Sequence, residues 1–245
     1  MLALYFFQER LIFHRYCVDE AIYVRVASDE LVDAFQINNS EVLLHGWHVN
    51  QGMHTLIIYY GGNADEATDN VDDMKRHLSD YSVLLVNYRG YGKSNGEPSE
   101  QALYEDALFV YDYVKEHMNY ERIIVMGRSL GSAVAVYVGS QRKVDGLIIV
   151  TPFDSIANVG QGHYPLFPVK WVISHPFHAK IHCKGITAPA LCVLADHDLV
   201  VPRRRSQALL DAWQGSINTK IVDESMHNDI IGFSDYWKYI KSFLN

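Results

Sequence analysis

The stretch M-G-R-S-L-G-S-A-V begins at Met126 and sets Ser129 between Gly127 and Gly131. A serine hydroxyl is a weak nucleophile at neutral pH. It becomes reactive when a histidine takes its proton and a carboxylate holds that histidine. The G-x-S-x-G spacing suits this chemistry when a strand leads in and a helix leads out, because the sharp reversal lifts the hydroxyl clear of the backbone. Here R-I-I-V stands directly before the pattern and a small, apolar run follows it. The two glycines leave room for so tight a turn. A helix that begins at the serine also aims its unpaired amides toward the reacting atoms.

A nucleophile on such a turn is followed along the chain first by its acid and then by its base. The acid belongs just after a later strand. Residues 190–194 make an apolar run, and A-D-H-D-L-V-V-P comes next. Asp198 is the favoured acid, because it stands ahead of V-V-P in a loop that leads into a helix; Asp196 is the alternative, or caps the turn. The base belongs after the last strand. D-E-S-M-H-N-D follows residues 220–222 and offers His227. His197 competes for the role, but it adjoins the acid within one loop. The oxyanion of an acyl-transfer intermediate needs two backbone amides. Leu130, next after the nucleophile, supplies one. Asn63 supplies the other from Y-G-G-N-A-D-E, where Gly61 and Gly62 permit close backbone approach. The chemistry calls for no metal and no organic cofactor. His163, His175, His178 and His182 lack tight metal-ligand spacing and read as surface or hydrogen-bonded core residues.

These residues need a sheet to hold them. Short apolar runs recur at 35–37, Val42–Val49, Thr55–Tyr60, 83–87, 122–126, 147–150, 190–194 and 220–222. The first two predict an antiparallel hairpin with its turn at 38–40. The rest suit strands buried on both faces, as in a parallel sheet. Helical spacing appears at 66–78, at Glu100–His117 with Ser99 as its cap, and at 131–139, 206–213 and 236–243. Alternating strand and helix predict an α/β doubly wound sheet with right-handed crossovers. Residues 151–184 break the rhythm with four prolines and several aromatic residues. They predict a lid or small cap over the carboxyl ends of the strands, where open α/β sheets bind ligands.

The chain has 245 residues, 49% of them hydrophobic, enough for a single domain over 1–245 with one sizeable core. Its formal net charge of -8 argues against nucleic acid as a partner, since phosphate binding needs a basic surface. The basic run at 203–205, at the start of a helix, reads as a solvated helix face, with a contact for an acidic group or a membrane surface as the alternative. Cys17, Cys183 and Cys192 are odd in number and lack C-x-x-C spacing, which argues against a disulfide framework or a zinc site. Reduced thiols fit a cytoplasmic protein. The N-terminus, M-L-A-L-Y-F-F-Q-E-R-L-I-F-H, is too short an apolar run to span a bilayer. It predicts a helix packed on the domain. A second reading makes that helix a peripheral membrane contact, or the remnant of a removed anchor.

Several stretches together carry a family resemblance: E-V-L-L-H-G-W-H-V from Glu41, G-N-A from Gly62, N-Y-R-G-Y-G-K-S-N-G-E-P-S-E from Asn87, G-R-S-L-G-S, D-L-V-V-P and H-N-D from His227. The chain resembles the α/β-hydrolase superfamily, and within it the branch of serine aminopeptidase-like proteins and depalmitoylating thioesterases. The resemblance implies eight mostly parallel strands flanked by helices, with Ser129, Asp198 and His227 as nucleophile, acid and base. It implies a serine hydrolase that cleaves small-molecule acyl esters or thioesters through an acyl-enzyme. A peptide N-terminus is a third substrate class, to be favoured if an acidic residue such as Asp154 stands free to bind an amine. Gly61 stands where the family has histidine, and Ala195 where it has glycine. The first departure favours a rival reading, a non-catalytic binding protein on a hydrolase scaffold.

Overall fold

A strand whose residues are all apolar needs cover on both faces, and a sheet with helices on each side provides it. The computed structural model describes residues 8–15 and 18–245. Its strands are β1 (Val32–Asn39), β2 (Val42–Val49), β3 (Thr55–Tyr60), β4 (Ser82–Val86), β5 (Arg122–Arg128), β6 (Gly146–Val150), β7 (Ala190–Ala195) and β8 (Ile217–Val222). They join in one eight-stranded sheet in the order β1-β2-β4-β3-β5-β6-β7-β8. The β1–β2 and β2–β4 pairings are antiparallel, and every pairing from β4 through to β8 is parallel. The central strands β3, β4, β6 and β7 are buried along their whole length.

Successive residues point to opposite sides of the sheet and so divide the core in two. Leu56, Ile58 and Tyr60 join one cluster, whereas Ile57 and Tyr59 join the other. Each fully buried Val, Leu or Ile contributes about 1.5–3 kcal/mol relative to exposure. The first cluster is covered by α3 (Glu100–His117) and α4 (Leu130–Gln141). The second is covered by α1 (Glu20–Ala27), α2 (Ala67–His77) and the last helix, Ser234–Leu244. Ser99 caps α3 as expected, its side chain accepting from the Ala102 amide.

Several boundaries differ from the sequence expectation. The hairpin turn lies at Ser40 and Glu41, with Ser40 at φ 57°, and Asn38 and Asn39, expected in the turn, belong to β1. β4 begins at Ser82, which is buried, pairs with Leu56 of β3 and donates its hydroxyl to the Asn50 carbonyl, so a polar residue belongs to the strand. β8 begins at Ile217, earlier than the apolar run, because polar side chains are tolerated on an exposed edge strand.

Residues 151–184 form short helices: α5 (Ile156–His163), α6 (Val169–Val172) and α7 (Ala179–His182). The aromatic residues of this segment divide by role. Phe153 and Phe177 are buried in the core, whereas Tyr164, Phe167 and Trp171 are exposed. The helix Arg203–Leu210 is α8 and the last helix is α9. Of the expected N-terminal helix, residues 8–12 are helical and Ile12 and Phe13 are buried; residues 1–7 and Cys17 lie outside the described residues. Gln8 donates to Ser174 Oγ and accepts from the Ser174 amide, tying this end to the 151–184 segment. Cys183 and Cys192 are free and buried, and burial pushes the Cys192 thiol up to about 12.

Candidate active site

β5 delivers the serine. The strand runs on through Gly127 and Arg128, and Ser129 then takes φ 51°, ψ −115° before α4 begins at Leu130. L-residues rarely adopt a positive φ, so the surrounding structure must enforce it. Both glycines are needed there. A Cβ on Gly127 would lie 2.0 Å from the Gly131 carbonyl oxygen, and one on Gly131 would lie 2.0 Å from the Tyr60 carbonyl oxygen. The Ser129 amide donates to the Val150 carbonyl at 2.9 Å, which anchors the turn to β6. The Leu130 amide heads α4, where the first turn of a helix has no internal acceptors.

The loops after β7 and β8 bring the other two side chains to this edge. His227 Nε2 lies 2.9 Å from Ser129 Oγ, and His227 Nδ1 lies 2.7 Å from Asp198 Oδ2. The side chains of His227 and Asp198 are only 6% and 8% exposed, so water does not screen the pair. The other carboxylate oxygen of Asp198 accepts from the amides of Val200 and Val201. The alternatives stand elsewhere: Asp196 and His197 are exposed, and His197 Nε2 lies 3.7 Å from Asp196. The loops after β7 and β8 are joined by the His197 amide donating to the Ser225 carbonyl.

The loop after β3 packs against the start of α4, where the Cβ position of Gly131 falls 2.5 Å from the Gly61 carbonyl oxygen. Its carbonyls are held from outside. Tyr88 Oη donates to Gly61 O, and Tyr91 Oη and the His14 amide donate to Asn63 O. The Gly62 amide donates to Asp65 Oδ2 at 2.7 Å. Asp65 in turn pairs with Arg128, the residue between Gly127 and Ser129. Sequence reading missed these four side chains. The two tyrosines lie in Y-R-G-Y-G-K-S, quoted there only as a resemblance, and Arg128 occupies a position where G-x-S-x-G accepts any residue.

Other expected participants lie elsewhere. Asp154 is buried, and its carboxylate is bonded to Arg205 and Asn158, so it is not free to hold an amine. Within the basic run 203–205, Arg203 and Arg204 are exposed, as a solvated face requires, and Arg205 alone is drawn inward to an acidic group. His163 Nε2 bonds the Val200 carbonyl, His175 Nδ1 accepts from the Glu100 amide, and His182 packs on Tyr104 and Tyr137. Among the described residues no three His, Cys, Asp or Glu side chains group as metal ligands. An apolar cavity of about 200 Å³ lies between residues 8–12 and the α5–α6 region, with Leu11, Ile156, Val159, Phe167 and Val172 in its wall.

Comparison with known proteins adds a family to this geometry. Residues 54–170 match the model of the alpha/beta hydrolase fold. An uncharacterised protein of Mycobacterium tuberculosis is 32% identical over 192 residues, covering 76% of this chain and 68% of that one. The lysophosphatidylserine lipase ABHD12 of Danio rerio is 30% identical over 212 residues, covering 77% of this chain. The match spans only 56% of that lipase's length. Among solved structures, an alpha-beta hydrolase from Vibrio vulnificus superposes with a TM-score of 0.80 over 97% of this chain and 92% of its own. At 19% identity that likeness speaks for the fold alone.

Proposed function

Because the chain belongs to the α/β-hydrolase superfamily, we propose that it is a serine hydrolase that cleaves carboxylic esters through an acyl-enzyme. The observation that carries this reading is the continuous relay from Ser129 Oγ through His227 to Asp198, at 2.9 Å and 2.7 Å. His227 Nε2 takes the hydroxyl proton as Ser129 Oγ attacks the carbonyl carbon. Asp198 holds the ring by Nδ1 and stabilises the imidazolium that forms. The Leu130 and Asn63 amides receive the negative charge of the tetrahedral intermediate. His227 then returns the proton to the leaving oxygen, and a second cycle with water releases the acid.

The acyl group in this reading is apolar, a fatty acyl ester or thioester. The cavity beside α5 has an almost wholly hydrocarbon wall and suits such a group by its chemistry, although Ser129, Leu130 and His227 are not among the residues that line it. The burial of Asp154 against Arg205 counts against a peptide N-terminus. Residues 151–184 serve as the cap over this end of the sheet. A lipid surface is the partner proposed for the exposed face of the cap, where Leu166 and Trp171 are 93% and 89% exposed. The test of the main reading is turnover of a small chromogenic ester. Ser129→Ala is expected to lower kcat by about 10⁴-fold or more. Retention of wild-type turnover by that variant contradicts the assignment.

A further inference from the structure

The reading above assigns the Asn63 amide to the oxyanion, and an amide does this only if its direction is fixed in advance. The Asn63 N–H shares a peptide plane with the Gly62 carbonyl and points the opposite way. That carbonyl accepts from the Asp65 amide at 3.3 Å, and the Gly62 amide donates to Asp65 Oδ2 at 2.7 Å. One residue thus grips the peptide carrying the donor and the peptide before it. A carboxylate on a loop would swing unless held, and Arg128 holds it. Arg128 Nε donates to Asp65 Oδ2 at 3.1 Å, and Nη2 donates to Oδ1 of the same carboxylate. Two parallel bonds fix orientation as well as distance. Tyr59 Oη donates to Oδ2 at 3.4 Å, and Arg128 Nη1 reaches the His227 carbonyl at 3.5 Å. The two charged side chains are 11% and 12% exposed, so neither is balanced by water.

Resting on the serine hydrolase reading, we propose that Arg128 and Asp65 are a positioning pair that aims the Asn63 amide at the oxyanion and registers it against Ser129. Arg128 adjoins the nucleophile in the chain, Asp65 grips the donor loop, and the third arm of the guanidinium touches the base loop. A single side chain therefore sets three segments against one another. Gly61 makes room for the pair. A Cβ on Gly61 would fall 2.7 Å from Asp65 Cβ, so a larger residue there displaces Asp65.

Kinetics of the full chain on a small p-nitrophenyl ester test this, with wild type, Asp65→Asn, Arg128→Gln, the double variant and Arg128→Lys. Loss of a whole oxyanion donor costs about 10²–10³ in kcat, so misaiming one is expected to lower kcat by about 10- to 100-fold. KM stays within about threefold, since ground-state binding does not use that amide. The double variant is expected to lose no more than the worse single one, because either change frees the same loop. Arg128→Lys, which keeps the charge but not the two-pronged geometry, falls between wild type and Arg128→Gln. It decides the matter if the neutral variants fail to fold. A folded Asp65→Asn or Arg128→Lys with wild-type kcat overturns the inference, as does a change confined to KM. A wild type that hydrolyses no acyl ester overturns the function reading and this inference with it. Arg142→Gln, which breaks the half-exposed ion pair to Asp112, is the control and keeps wild-type kinetics.

Discussion

At the scale of single residues, Ser129 stands in a backbone conformation that its own side chain disfavours, with φ 51°. Such strain costs about 1–3 kcal/mol and persists only where packing enforces it. Two variants that both lack the hydroxyl separate strain from chemistry. Ser129→Gly is expected to be more stable than Ser129→Ala by about 1 kcal/mol, because glycine alone adopts this turn freely. In thermal melts that is a rise of about 2–4 °C. An alanine variant as stable as the glycine one contradicts the strained turn. That Ser129, Asp198 and His227 meet was legible in the sequence, because their order along the chain is fixed by the order of the strands. Asp65 and Arg128 were not. Their role depends on two loops meeting across the sheet edge, and local spacing carries no record of that meeting.

At the scale of elements, continuous apolar runs gave away the buried strands, and T-L-I-I-Y-Y matches β3 to the residue. Boundaries failed where polar side chains belong to an element. β5 continues through Gly127 and Arg128, past its apolar run, because the elbow begins only at Ser129. α8 starts with the basic run at Arg203, since Pro202 is a natural entry to a helix, and ends at Leu210, short of the expected 213. The 151–184 segment is fixed at both ends by Phe153 and Phe177 and exposes Leu166 and Trp171 between them. Large apolar side chains left in water favour a lipid interface. Wild-type protein is therefore expected to float with vesicles of phosphatidylcholine and phosphatidylserine. A Leu166→Ser, Trp171→Ser double variant should float at least about tenfold less while keeping its kcat on a soluble ester. Equal flotation of the two proteins rejects the lipid contact for this face.

At the scale of the whole molecule, one sheet with two separate cores sets three distant loops side by side. β5, β7 and β8 run parallel, so the segments that follow them emerge at a common edge. Ser129, Asp198 and His227 each follow one of those strands, which is how side chains far apart in the sequence come together. The strand order β4-β3-β5 also places the loop after β3 beside the elbow, where Asn63 and Leu130 amides face a common reaction centre in the proposed mechanism. Among the described residues no helix is long and apolar enough to cross a membrane.

The central claim is that Ser129 is a nucleophile activated by His227. Mass spectrometry of the protein after exposure to a fluorophosphonate tests it most directly. The account predicts one covalent adduct, on the peptide that contains Ser129, formed at least about 10³-fold more slowly in His227→Gln. An unlabelled wild type, or an adduct on any other residue, contradicts it.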